Sequence, residues 1–194
     1  MKRIGLTGGI GSGKTIISRI FRTFGIPVFN ADETAKTLMN TNPEIREELK
    51  QTLGETAYNS DNTINKTYLR NVLFNDKETL NTLNKIVHPY VINRFEEWYT
   101  QLSAPYAIKE AAILFESGAY KYMDRIITVF APVELRIKRI MQRDGTTREN
   151  VLKIIENQLP DEEKMKQADY IIYNNGRQMV IPQVMEIHKQ IKNS

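Results

Sequence analysis

The chain has 194 residues, 41% of them hydrophobic and 26% charged, with a net charge of +4 and no cysteine. That balance fits a globular domain with a full core, and it excludes disulfide scaffolds and cysteine-based zinc sites. The positive excess is too small to argue for nucleic acid, no apolar run approaches the roughly 20 residues that span a bilayer, and no apolar signal segment follows Lys2 and Arg3. The expectation is a cytoplasmic protein with neither membrane nor nucleic-acid partners, and the absence of cysteine suits a reducing compartment.

In chain order, Arg3-Ile4-Gly5-Leu6 is short, apolar and followed by glycines, as a buried strand is. Ile16, Ile17, Ile20, Phe21 and Phe24 then form one apolar helical stripe, closed by Gly25. Ile26 to Phe29 reads as a second strand, Tyr106 to Phe115 as a third, Arg125 to Phe130 as a fourth and Tyr170 to Tyr173 as a fifth. Helical patterns separate them, and the stretch from Pro43 to Gln101 is helical almost throughout, with a break expected at His88 because a proline follows it. Alternating strands and helices predict an α/β domain with a parallel five-stranded sheet and helices on both faces. One domain covers 1–194, with a helical insertion at about 43–102 that could cap a substrate and a lid at about 136–155.

The chemistry enters at Gly8-Gly9-Ile10-Gly11-Ser12-Gly13-Lys14-Thr15, which matches the phosphate-loop pattern G-x-x-x-x-G-K-[ST]. Glycines let the backbone turn so that successive N–H groups point inward as an anion nest. The helix that starts at Lys14 adds its positive dipole end. Lys14 can reach the β- and γ-phosphates of ATP, and the Thr15 hydroxyl can hold Mg²⁺. A strand before the loop and an amphipathic helix after it supply the context the pattern requires.

A regulatory GTPase would carry D-x-x-G and N-K-x-D. No Asp here is followed three residues later by Gly, and Asn84-Lys85-Ile86-Val87 lacks the closing Asp. Small-molecule kinases remain, and within them the pattern resembles one family, dephospho-CoA kinase. The similarity lies in separated blocks: Ile4 to Lys14, Asn30-Ala31-Asp32, Leu83 to Pro89 ending in His88-Pro89, and Ile113-Leu114-Phe115-Glu116. The last is a C-terminal set made of Gln158, Lys164, Ala168 to Ile172 and Asn174-Asn175-Gly176. The resemblance implies ATP as donor, Mg²⁺ as cofactor and dephospho-CoA as acceptor, in a cytoplasmic enzyme that works as a monomer. Related kinases acting on a nucleotide, a sugar acid or shikimate are the next reading. The chain departs from the family pattern at Asn30, where Asp is usual, and at Glu110-Ala111-Ala112, where D-x-P is usual. The metal-side carboxylate therefore stays open between Glu110, Glu116 and Asp32.

By this resemblance ATP is bound by Gly9, Ile10, Gly11, Ser12, Gly13, Lys14, Thr15, Ile16 and Asn175, and the acceptor by Thr7, Asp32, His88, Phe115 and Glu116. Lys14, Asp32, Arg139 and Arg143 are the catalytic candidates. Asp32 follows the second strand and can orient the attacking hydroxyl and accept its proton; as a helix cap it would do neither. Arg136, Arg139 and Arg143 share a helix face at i, i+3 and i+7, with Arg148 beyond a Gly145 loop, either as a lid over the phosphoryl group or as a solvated face. His88 and the Asn174-Asn175-Gly176 turn have equally plain structural readings.

Overall fold

The computed structural model describes residues 1–69 and 76–193. The helical expectation over 70–75 lies outside the described residues. The chain divides into two compact units, one made of Met1–Asn30 with Leu102–Ser194, the other of Ala31–Gln101.

The first unit is built on five strands: β1 (Lys2–Thr7), β2 (Val28–Asn30), β3 (Tyr106–Glu110), β4 (Arg125–Phe130) and β5 (Tyr170–Tyr173). They pair in the order β2-β3-β1-β4-β5, every pair parallel. Central β1 is therefore flanked by β3 and β4, and the loop that follows it opens at the carboxyl ends of both, where such sheets bind ligands. Helix α1 (Lys14–Thr23) packs with the C-terminal helix of the unit, Val180–Asn193, on one face. Ile17, Phe21, Val184, Ile187 and Ile191 meet Ile4, Leu6, Ile108, Ile127 and Val129 there, all buried. Fully burying a side chain of this kind contributes about 1.5–3 kcal/mol, so this layer is the unit's main source of stability.

The third strand is shorter than the apolar run suggests. It ends at Glu110, and Ile113-Leu114-Phe115 turn away as a tight segment, with Ser117 N–H bonded to Ile113 C=O at 3.0 Å. Their apolar character has another use: Leu114, fully buried, lies with Met123 against Gly5 on the face of the sheet opposite the α1 layer.

The second unit contains α2 (Ala31–Thr41), α3 (Pro43–Leu53) and α4 (Lys77–Thr100). Asn42 caps α3 through bonds from the N–H groups of Glu44 and Ile45, with proline as its first residue. Between α3 and α4 a short 3₁₀ turn at Glu55–Ala57 and a bridge between Tyr58 and Ile64 interrupt the helical pattern. Helix α4 runs through Pro89, so the break expected at His88 does not occur. An internal proline costs a helix about 3 kcal/mol or more. Leu83, Val87, Val91 and Phe95 are spaced by four residues on both sides of it and are all buried, while α4 packs on α2 and α3. Four burials at about 1.5–3 kcal/mol each outweigh one lost backbone bond.

Candidate active site

The phosphate loop leaves β1 at Thr7 and enters α1 at Lys14. Gly13 holds φ +99° and ψ 23° immediately before the helix, a conformation that costs a residue with a Cβ about 1–2 kcal/mol. Within the loop Ser12 N–H bonds Gly9 C=O at 3.1 Å, and Ile16 N–H bonds Gly13 C=O at 3.0 Å. The ammonium of Lys14 donates to Gly8 C=O at 2.8 Å, so its charge lies over the loop's own backbone.

Two arginines of α5 (Val133–Asp144) hold this loop from outside. Arg136, only 2% exposed, donates from Nε to Ile10 C=O at 2.8 Å and pairs with Asp161 through Nη1. A Cβ on Gly9 would stand 2.3 Å from Nη2 of Arg136, so the guanidinium fits only against a glycine. Arg139 donates to Gly11 C=O at 3.2 Å and Ser12 C=O at 3.4 Å, and its second amino group reaches Asn174 C=O at 3.2 Å. Burial holds its guanidinium below the usual arginine value. Asn174 completes the ring by donating from Nδ2 to Ser12 C=O at 2.7 Å. These donors engage the carbonyl groups of Ile10, Gly11 and Ser12 along the loop.

Arg143 and Arg148 are elsewhere. Arg143 is bound to its neighbour Asp144 at 2.7 and 2.8 Å, which raises its pKa above the usual arginine value, and it is exposed. Arg148, the first residue of α6 (Arg148–Glu156), pairs with Glu134 at 2.6 Å on the surface. The shared face of the sequence pattern is thus divided: Arg136 and Arg139 bear on the loop, Arg143 on Asp144.

At the end of β3, Glu110 is 3% exposed and its register partners are Leu6 of β1 and Asn30 of β2. Its Oε2 accepts from Ser18 Oγ of α1 at 2.7 Å and from Asn30 Nδ2 at 3.4 Å. The two positions at which the chain departs from the family pattern therefore face each other, one as donor and one as acceptor. Glu116 lies six residues past the strand. Its Oε1 accepts from Leu159 N–H at 2.8 Å and pairs with the fully buried Lys164 of α7 (Asp161–Gln167) at 3.0 Å. Thr7 is buried, with Oγ1 at 3.5 Å from Ala112 C=O, and Phe115 packs on Tyr120 with ring centroids 5.4 Å apart.

Ile16 is half exposed on α1, and Thr15 is exposed at its first turn. Asn175 accepts from the N–H groups of Arg177 and Gln178, an Asx turn directly after Asn174. Asp32 and His88 belong to the other unit. Asp32 is the second residue of α2 rather than its cap, in the first turn where a carboxylate suits the helix dipole. His88 is half-buried in α4. The residues that reading for function passed over are Arg136 as an anchor and Gln158, whose Oε1 accepts from Ile10 N–H at 2.9 Å. Nothing in helical spacing indicates a bond across 148 positions.

The comparisons with known proteins agree with this geometry. The family model described as dephospho-CoA kinase matches residues 2–179. A dephospho-CoA kinase of Bacteroides fragilis (strain YCH46) is 39% identical over 186 residues, covering 95% of this chain and 90% of the relative. Among solved structures, TT1252 from Thermus thermophilus superposes with a TM-score of 0.85 at 33% identity, covering 97% of this chain and 96% of that one. A dephospho-CoA kinase from Campylobacter jejuni gives 0.69 at 27% identity, over 98% and 97%. The match to the family model over residues 2–179, with 39% identity to a relative across 95% of the chain, shows that the chain belongs to the dephospho-CoA kinase family.

Proposed function

We propose that the protein transfers the γ-phosphoryl group of ATP to the ribose 3′-hydroxyl of dephospho-CoA, giving CoA and ADP. The observation that carries the ATP half is the loop itself: its carbonyl groups are engaged by Arg136, Arg139, Asn174 and Lys14, and its N–H edge joins the start of α1. The acceptor half rests on the family.

In this reading Gly9–Ile16 hold the phosphates, with Asn175 on the base side. Lys14 turns from Gly8 C=O to the transferring phosphoryl group, whose charge spreads over its oxygens as the bond to ADP loosens. Arg139 is set to add its charge beside the loop, and Arg143 would contribute only by leaving Asp144. Asp32 orients the attacking hydroxyl and collects its proton. Thr7, His88, Phe115 and Glu116 are the acceptor contacts.

Mg²⁺ fits the donor set available here. The Thr15 hydroxyl and the Glu110 carboxylate are hard oxygen donors of the type this ion takes. Glu110 is the better metal-side carboxylate, since it ends a strand beside β1, whereas Glu116 is tied to Lys164 and Leu159. When bound, Mg²⁺ neutralises charge on the β- and γ-phosphates. Thr15→Val should raise the Mg²⁺ concentration for half-maximal turnover by about tenfold, as expected for losing one oxygen ligand, while Thr15→Ser should not. An unchanged Mg²⁺ requirement in Thr15→Val would remove Thr15 from the metal's ligands. No helix among the described residues is long and apolar enough to cross a membrane, and we take the enzyme to work as a monomer in the cytoplasm.

A further inference from the structure

The C-terminal block that carries part of the family resemblance contains two residues, Gln158 and Lys164, with no place in the chemistry above. Their surroundings give them one. Ile10, in the middle of the phosphate loop, is gripped on three sides. Its N–H donates to Gln158 Oε1 at 2.9 Å, and its C=O accepts from Arg136 Nε at 2.8 Å. Its side chain packs on the small core of Ile137, Ile140 and Val151, where α5 meets α6. The guanidinium that holds the C=O is itself anchored by Asp161, three residues past Gln158. One short stretch of chain, 158–161, thus holds the two successive peptide groups that flank Ile10: the first directly through Gln158, the second through Arg136 by way of Asp161.

We propose that Gln158 and the Arg136–Asp161 pair are positioning residues that clamp the backbone on both sides of Ile10 and hold the phosphate loop in its anion-binding shape before a nucleotide arrives. A loop of four glycines within six residues, Gly8 to Gly13, has more backbone freedom to lose than any other segment of this length. Each N–H that must turn inward to meet a phosphate would otherwise be ordered at the expense of binding. A clamp made within the fold moves that ordering to the folding step, which is the general effect of preorganisation on affinity. The same bond directs Ile10 N–H to Gln158, so within the Gly9–Ile16 loop Ile10 shapes the nest while the other N–H groups meet the phosphate. Lys164 extends the segment's reach, because its ammonium holds Glu116 while Leu159 N–H holds the same carboxylate oxygen. No group in the clamp touches the reacting atoms.

The inference rests on the nucleotide reading of the loop, and the test separates the two. Gln158→Met keeps length and volume and removes the acceptor. Its ADP dissociation constant, measured by calorimetry, should rise by about five- to thirtyfold, the effect of ordering about one loop residue's backbone at the binding step instead of the folding step. Hydrogen exchange at Ile10 in the nucleotide-free protein should quicken by about tenfold or more. KM for dephospho-CoA should stay near the parent value, and the melting temperature should fall by no more than the few degrees that one lost hydrogen bond costs. Gln158→Glu retains an oxygen at the same reach and should keep Ile10 exchange close to that of the parent. If Gln158→Met melts too low for the comparison, Gln158→Asn, shorter by one methylene, is read in the same way. Unchanged ADP affinity and exchange in the variant would overturn the clamp, as would parallel losses in ADP affinity, dephospho-CoA KM and melting temperature. If the parent itself bound no ADP, the nucleotide reading would fall instead.

Discussion

Gly13 offers a quantitative test of how the phosphate loop is held. At φ +99° an alanine would bear the left-handed penalty of about 1–2 kcal/mol. Its Cβ would also stand 2.1 Å from Nδ2 of Asn174. That amide cannot retreat with its backbone, because Asn174 N–H is fixed to Phe130 C=O at 2.8 Å. Its side chain must swing away and give up the 2.7 Å bond to Ser12 C=O, a loss of about 1 kcal/mol. Against these, replacing glycine restricts the unfolded chain and returns about 0.4–1 kcal/mol. The net cost of Gly13→Ala is about 1–2.5 kcal/mol, which for a chain of this size lowers Tm by several degrees. A double-mutant cycle isolates the contact. In an Asn174→Ala background the bond is already gone and only the backbone penalty remains, so the two substitutions should be sub-additive by about 1 kcal/mol. Denaturant titration of the four proteins reads this directly. Additivity within about 0.3 kcal/mol, or a neutral Gly13→Ala, would refute the claim that Asn174 buttresses the loop through Gly13.

Lys14→Ala removes the mobile cation of the cradle but leaves the backbone nest. Turnover should fall by roughly two to three orders of magnitude, with a much smaller change in ATP affinity by calorimetry. For Asp32→Asn, ATP binding should persist while kcat falls by about a hundredfold, the lower part of the general-base range, because the transition state is loose and proton removal comes late. A variant with full kcat would return Asp32 to a purely structural role in α2. His188 accounts for a pH effect on stability. Its Nδ1 lies 2.6 Å from the Tyr106 hydroxyl, and burial, with Lys192 nearby, holds its pKa below the ordinary imidazole value. As pH falls below about 6.5 the unfolded chain takes up a proton that the folded chain resists, so stability is lost on the acid side. Melting at pH 7.5 and 5.5 should show a smaller drop in His188→Gln than in the parent, and parallel drops would exclude His188 as the source.

Much of this was legible in the sequence, for physical reasons that differ between elements. Arg125–Phe130 and Tyr170–Tyr173 read correctly to the residue because each is a short apolar run with turn or polar neighbours on both sides. The third strand was read too long because an apolar run reports burial, and Leu114 is buried on the sheet without being part of it. The proline after His88 was read as a break because the local rule knows nothing of the four buried side chains that bridge it. The phosphate loop was legible because its chemistry is local: eight consecutive residues supply the turn, the cation and the hydroxyl. Its supports were not. Periodicity placed Arg136, Arg139 and Arg143 on one face but could not tell which would meet the loop, since that depends on where α5 lies beside the loop. Gln158 and Asn174 reach the loop from 148 and 162 positions away, distances over which only the folded chain carries information.

The central claim is the reaction, and ADP release against a panel of acceptors tests it most directly. With ATP and Mg²⁺ present, dephospho-CoA should give rapid ADP formation, and AMP, shikimate and gluconate should give little above the rate without acceptor. Turnover on AMP or shikimate equal to that on dephospho-CoA would contradict the assignment while leaving the phosphate loop and its supports as described.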